Sequence, residues 1–122
     1  AEIIVLDQFS RNIHRGTPLA FAQDAQALTL SQVAVQAGAL DQLSEVERGF
    51  LLMPFMHSES RDIHAQAETL FKTHASANTF EFERKHKAIV DRFGRYPHRN
   101  AILGRNSTDE EIEFLKRPGS GF

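Results

Sequence analysis

The chain has 122 residues, no cysteine and a formal net charge of −2, with 41% hydrophobic and 25% charged residues. That length and balance fit one compact domain over residues 1–122. They exclude disulfides, thiol nucleophiles and cysteine-ligated metal. The longest apolar run, GFLLMPFM at 49–56, is far short of the roughly 20 residues a membrane-spanning helix needs. No basic-then-apolar leader opens the chain, so a cytoplasmic protein with no membrane association is expected.

Apolar residues recur at helical spacing nearly throughout, and strict period-two alternation is never sustained, which predicts an all-α fold. The first helix, in IIVLDQFSRNI, places Ile3, Leu6 and Phe9 or Ile13 on one side, with Asp7 and Arg11 as an i,i+4 pair on another. It has no cap in front of it, so residues upstream of Ala1 are expected. Gly16 suits its C-terminal stop. Thr17 and Pro18 are the cap and first position of a second helix reaching Gly38, whose polar stripe (Gln23, Gln26, Thr29, Gln32, Gln36) is narrow enough to predict a central, mostly covered helix. SEVE at 44–47 is a capping box for a third helix, which Pro54 should kink or end. HSES then sits at a break. A fourth helix over about 60–77 turns Ile63, Ala67, Leu70 and Phe71 inward. A fifth begins near Asn78, with Phe82, His86, Ile89, Val90 and Phe93 on one stripe, and stops at Gly94 and Pro97. YPHRNAILGRN is read as a loop, STDEEIEFL as a capped last helix with acidic residues in its first turn, and RPGSGF as a frayed end.

Three irregular motifs, LDQFSRNIHRGTPLAFAQD, MPFMHSES and RFGRYPHRNAILGRNSTDEEIEFL, occur in order across almost the whole chain. Together they resemble the bacterial domain of unknown function family 924. The resemblance implies a right-handed α-α superhelix of the tetratricopeptide-like kind, with a further N-terminal helical segment before the LDQF motif that this chain is expected to lack, and it implies no activity; the elements read above make five to six helices. The Trp, Leu-Gly and Tyr signature of a typical tetratricopeptide repeat is absent from the sequence. A short similarity between AQDAQAL at Ala22 and AQAETL at Ala65 has a spacing that suits two-helix units.

Charge is unevenly spread. Between Arg84 and Arg105 seven basic residues face Asp91 alone, a local balance of +6, whereas residues 1–83 sum to −6. Arginine suits bidentate grip on carboxylate or phosphate. The candidate ligand-binding residues are therefore Arg11, Asn12, Arg95, His98, Arg99 and Asn100, with Asp7 orienting Arg11. The alternative is that these arginines clasp the chain's own carboxylates, Asp7, Glu59 and Asp62 among them.

Catalytic candidates are His57, Glu59 and His98, with either histidine as a general base tuned by Glu59. Ser58 lies beside His57, but no nucleophile elbow surrounds it. His57, Glu59, His64 and His98 match no metal-ligand spacing, so no metal is assigned. His86 reads as a buried core histidine. No glycine-rich phosphate loop is present, and no cofactor is implied. Phe93 and Tyr96 within the basic segment could stack on bases, yet the acidic whole-chain balance argues against nucleic acid. The expected function is a binding module for an anionic small molecule or a peptide carboxylate. The alternative is a small hydrolase-like enzyme. The sequence leaves ligand, reaction and oligomeric state open.

Overall fold

The structure, a computed structural model, describes residues 2–121, apart from the side chains of Leu6, Phe9 and Ser10. The expected inward roles of Leu6 and Phe9 therefore lie outside the described residues. Helix dominates, and no strand occurs among the described residues. They form eight α-helical segments: α1 (Glu2–Ile4), α2 (Ser10–Ile13), α3 (Asp24–Gln36), α4 (Glu45–His57), α5 (Arg61–His74), α6 (Ala77–Phe93), α7 (Asn100–Leu103) and α8 (Asp109–Leu115). Five to six were expected from the sequence. The excess has two sources. The first helix is split by a π turn over Val5–Phe9, and the expected loop after α6 winds into a 3₁₀ turn, Pro97–Arg99, followed by α7.

The two capping boxes fall where the sequence placed them. Ser44 and Glu47 exchange backbone and side-chain hydrogen bonds at the start of α4, and Thr108 and Glu111 do the same at α8. Ser60 and Ser76 accept from Ile63 N and Thr79 N at α5 and α6. Gly94 ends α6 at φ 74°, a left-handed conformation that glycine adopts without a Cβ penalty. Thr17 behaves differently from its expected role as a cap. Its hydroxyl donates back to His14 O at 2.7 Å, and Pro18 opens only a 3₁₀ turn, Pro18–Phe21, so α3 begins later, at Asp24.

The sequence expects a kink or an end at Pro54; α4 does not end at this residue and continues to His57. Leu52, Phe55 and Met56 are buried on either side of it, so packing holds the last turn although Pro54 cannot donate to the carbonyl of Phe50. Helix α3 is not central. Only Ala27 and Ser31 are buried on it and Val33 is 58% exposed, because α4 and the N-terminal turns cover one side alone. On α6, Phe82 is exposed and Glu83 points inward instead, drawn by His64 on the facing helix α5. Ile13, an alternative inward position on the first helix, is exposed as well.

The main apolar core is Leu52, Phe55 and Met56 of α4 against Ala67 and Phe71 of α5, closed by Leu40 from the turn after α3. A second cluster joins Ile89 and Val90 of α6 to Tyr96, flanked by Phe93 and Phe114. Between the two lies a polar centre. His64 and Glu83 are both fully buried; His64 Nδ1 stands 2.9 Å from Glu83 Oε2 and its Nε2 2.6 Å from Ser58 O. The Ser58 carbonyl can only accept, so Nε2 carries a proton, and a second proton lies between Nδ1 and Glu83. Burial raises the pKa of Glu83, opposed by His64. The Tyr96 hydroxyl donates to Met56 O and stands 3.0 Å from His64 Nε2, which fixes the segment after α6 on the C-terminal turn of α4.

Candidate functional site

Beside this centre is a cavity of about 390 Å³. Its wall is drawn from both ends of the chain: Arg11 and Asn12 on α2, Arg15 in the turn after it, Phe21 of the first 3₁₀ turn, His57 at the end of α4, His86 on α6, and Tyr96, His98 and Arg99 beyond α6. Three arginines and three histidines thus share one surface, and among the described residues no carboxylate lines it.

The balancing acids stand behind the wall. Arg11 Nη2 donates to Asp24 Oδ2 at 2.7 Å, and Arg11 Nε is 3.8 Å from Asp7 Oδ1. Arg99 is 5% exposed. Its guanidinium lies over the Phe21 ring at 4.4 Å and the Tyr96 ring at 4.7 Å, and its Nη2 donates to His57 O at 3.0 Å, where a cation complements the carbonyl end of α4. Asp24 and Glu59 flank Arg99 Nη1 at 3.9 and 3.7 Å, while Arg99 Nε has no hydrogen-bond partner among the described residues. Burial raises the pKa of Asp24, outweighing Arg11 and Arg99. Arg15, exposed at the rim, donates to Asn12 Oδ1 at 3.4 Å, its one side-chain hydrogen bond among the described residues.

Asp7 has a role beyond the one expected. It is 1% exposed, its Oδ2 accepts from Gln8, and its Oδ1 lies 2.7 Å from His57 Nδ1. Burial would raise its pKa, but the hydrogen bond from His57 and the nearby charge of Arg11 leave it below the ordinary value, so the carboxylate is ionised. At 2.7 Å an anionic oxygen requires a proton on Nδ1, which therefore donates to Asp7 rather than accepting from Arg11 Nε at 3.1 Å. Burial, opposed by Asp7 and aided by Arg11, keeps the His57 pKa below its usual value. His57 is thus a neutral imidazole with its lone pair on Nε2. His86 has the same tautomer for another reason: Nδ1 lies 2.6 Å from Phe82 O, and burial lowers its pKa to about 3. Burial and then Arg99 lower the pKa of His98 to about 4.

Of the residues singled out in the sequence, Arg11, Asn12, His57, His98 and Arg99 line the cavity. Arg95 and Asn100 do not. Arg95 grips Glu111 with two bonds, at 2.9 and 2.7 Å, and reaches Asn106 O at 2.8 Å. Asn100 is buried, donates to Ser107 Oγ and accepts from Arg105 Nε. Glu59 is also engaged elsewhere. Arg105 holds both its oxygens, at 3.0 and 2.9 Å, and the Tyr96 amide adds a third bond. Burial would raise its pKa, but Arg105, Tyr96 N and Arg99 bring it below normal. It therefore does not tune His57; Asp7 occupies that position. Sequence reasoning missed Arg15, Phe21 and the Asp7–His57 contact. The only local sign of the last is the polar Asp7 within an apolar run. Among the described residues no group of three or more His, Asp or Glu side chains could hold a metal ion, so His57, His64 and His98 do not converge.

The fold and site define an all-helical protein with an arginine- and histidine-walled cavity beside a buried polar centre. Residues 1–119 match the family described as bacterial protein of unknown function (DUF924), and the chain belongs to that family. It is similar to a solved protein of unknown function from Agrobacterium tumefaciens, at 37% identity with a TM-score of 0.89 over 93% of this chain. The match spans 64% of that solved chain. No curated protein matches the sequence. No helix among the described residues is long and apolar enough to cross a membrane.

Proposed function

We propose that the protein is a binding module for a small organic or inorganic anion, taken up in the arginine- and histidine-walled cavity. The observation that carries this is the wall itself: three guanidinium groups and no carboxylate, in a chain whose overall charge is negative. A volume of about 390 Å³ falls within the size range of small-molecule sites, roughly 300–1,000 Å³, and is small for a peptide strand, so the ligand is a small molecule in preference to a peptide carboxylate. Phe21, Tyr96 and Ile102 supply apolar surface beside the cations, which suits an anion with a short carbon skeleton. The scaffold is an α-α superhelix of the tetratricopeptide-like kind. Successive helices α3 to α6 each pack on the next, in support of this reading.

Thermal unfolding in the presence of inorganic phosphate, citrate or chloride at matched ionic strength tests the proposal. Phosphate or citrate should raise the midpoint of the wild type above that in chloride, and the shift should shrink in Arg15→Ala. Equal midpoints in all three salts would refute it. The hydrolase reading built on His57 and Glu59 loses its second member, because every oxygen of Glu59 is already held by Arg105 and Tyr96.

A further inference from the structure

We propose that the anion bound in this cavity carries its own O–H donor, and that His57 Nε2 accepts it. This deepens the anion-site reading and rests on it. The buried, ionised carboxylate of Asp7 at 2.7 Å fixes one imidazole proton on Nδ1; burial and the Arg11 guanidinium beside the ring hold it neutral at pH 8, so the opposite ring nitrogen has a lone pair and no proton. His57 Nε2 makes no hydrogen bond among the described residues, and the His57 ring lines the cavity between Arg11 and Arg99. On the same wall, the Nδ1–H of His86 is committed to Phe82 O, so its Nε2 also has acceptor character.

The cavity therefore mixes donors that cannot accept, the guanidinium groups, with an imidazole nitrogen that cannot donate. An anion made only of acceptor oxygens satisfies the arginines but sets an oxygen lone pair against that of His57. An anion with a hydroxyl satisfies both. A site built to accept a hydroxyl hydrogen bond discriminates against the analogue that lacks one, because its own polar group is then left unpaired. The hydroxyl can belong to the acid itself, as in hydrogen phosphate, or to carbon, as in a hydroxylated phosphate ester. The chemistry at His57 is the same.

Calorimetric titration of the wild-type chain at pH 8 with two matched pairs tests this. Inorganic phosphate, which retains one P–OH at that pH, is set against sulfate, which has none. Glycerol 3-phosphate is set against propyl phosphate. The proposal expects the hydroxyl-bearing member to bind roughly tenfold tighter or more in at least one pair, and the responding pair names the source of the hydroxyl. Affinities within twofold in both pairs would overturn the proposal while leaving the anion site standing; no binding of any of the four would overturn both. In Asp7→Asn the lock on the tautomer is removed, and the preference should fall toward unity while some anion binding persists. Nitrogen-15 NMR of wild-type His57 needs no variant: an unprotonated Nε2 is expected, and a protonated Nε2 contradicts the proposal.

Discussion

Arg95 and Arg99 stand four residues apart in one basic segment, yet the two ends of that segment behave as different regions of the molecule. Around Arg95, Asn100 and Arg105, charge is closed on itself. Arg95 saturates Glu111, and Arg105 saturates Glu59. Around Arg99 and Arg11, the acids Asp24, Asp7 and Glu59 are not among the residues lining the cavity, whereas Arg99, Arg11 and Arg15 are. The same residue type thus serves as a clasp in one place and as a wall in the other. What separates the roles is whether a carboxylate occupies the arginine's bidentate edge. Net charge along the sequence does not distinguish the two.

Several substitutions would break or sharpen this division. The largest effect is expected from Glu59→Ala, which strips Arg105 of its carboxylate and the Tyr96 amide of its acceptor, and leaves the buried Arg99 with Asp24 as its remaining acidic neighbour. A loss of about 2–4 kcal/mol in urea unfolding follows, and a change below about 0.5 kcal/mol would show that the clasp is idle.

Arg95→Ala should lower stability by less than Glu59→Ala and carries a pH signature. The bonds from Arg95, joined by the Thr108 amide and Asn100 and opposed by burial, bring the Glu111 pKa down to about 2 from 4.5. Because the folded pKa is depressed, this stabilisation is complete above pH 4.5 and is lost as the pH falls toward 2. Wild type and Arg95→Ala should therefore converge in stability at the acid end of that window. A gap that stays constant down to pH 2 would refute the assignment.

A third effect comes from His86, whose pKa of about 3 is far below the 6.5 of an unfolded histidine. The unfolded chain takes up this proton first, so stability is full above pH 6.5 and falls as the pH is lowered from there, by up to about 1.4 kcal/mol per pH unit from this one group. His86→Gln should flatten the slope between pH 6.5 and 5. An unchanged slope would place the titration elsewhere.

The smallest effect on stability, within about 0.5 kcal/mol, is expected for Arg15→Ala at the exposed cavity rim. Its consequence should appear in anion affinity.

Local signals in the sequence were enough for most of the longer helices and several of their ends, though not for the start of α3 or for α7. The serine and threonine caps, the glycine stop after α6 and the inward stripe of α5 depend on neighbours within a turn or two. The errors came where a partner lies far along the chain. Asp7 and His57 are 50 residues apart, and His64 and Glu83 are 19 apart on facing helices; no periodicity carries such a pairing. Phe82 was expected inward because it is apolar, but a buried histidine on α5 favours the carboxylate one position on. Helix α3 reads as central from its apolar content, whereas coverage depends on how many neighbours the fold supplies. In the site, arginine content pointed to Arg11 and Arg99 but gave no means of separating them from Arg95.

The central claim is that the cavity wall, and not the clasp, receives the ligand. The phosphate-induced rise in unfolding midpoint, measured side by side for wild type, Arg15→Ala and Arg95→Ala, tests it most directly. Arg15→Ala should unfold like the wild type without phosphate and lose most of the phosphate-induced rise, whereas Arg95→Ala should start lower and keep the rise in full. If Arg95→Ala loses the rise and Arg15→Ala keeps it, the roles assigned to the two regions are reversed and the account is wrong.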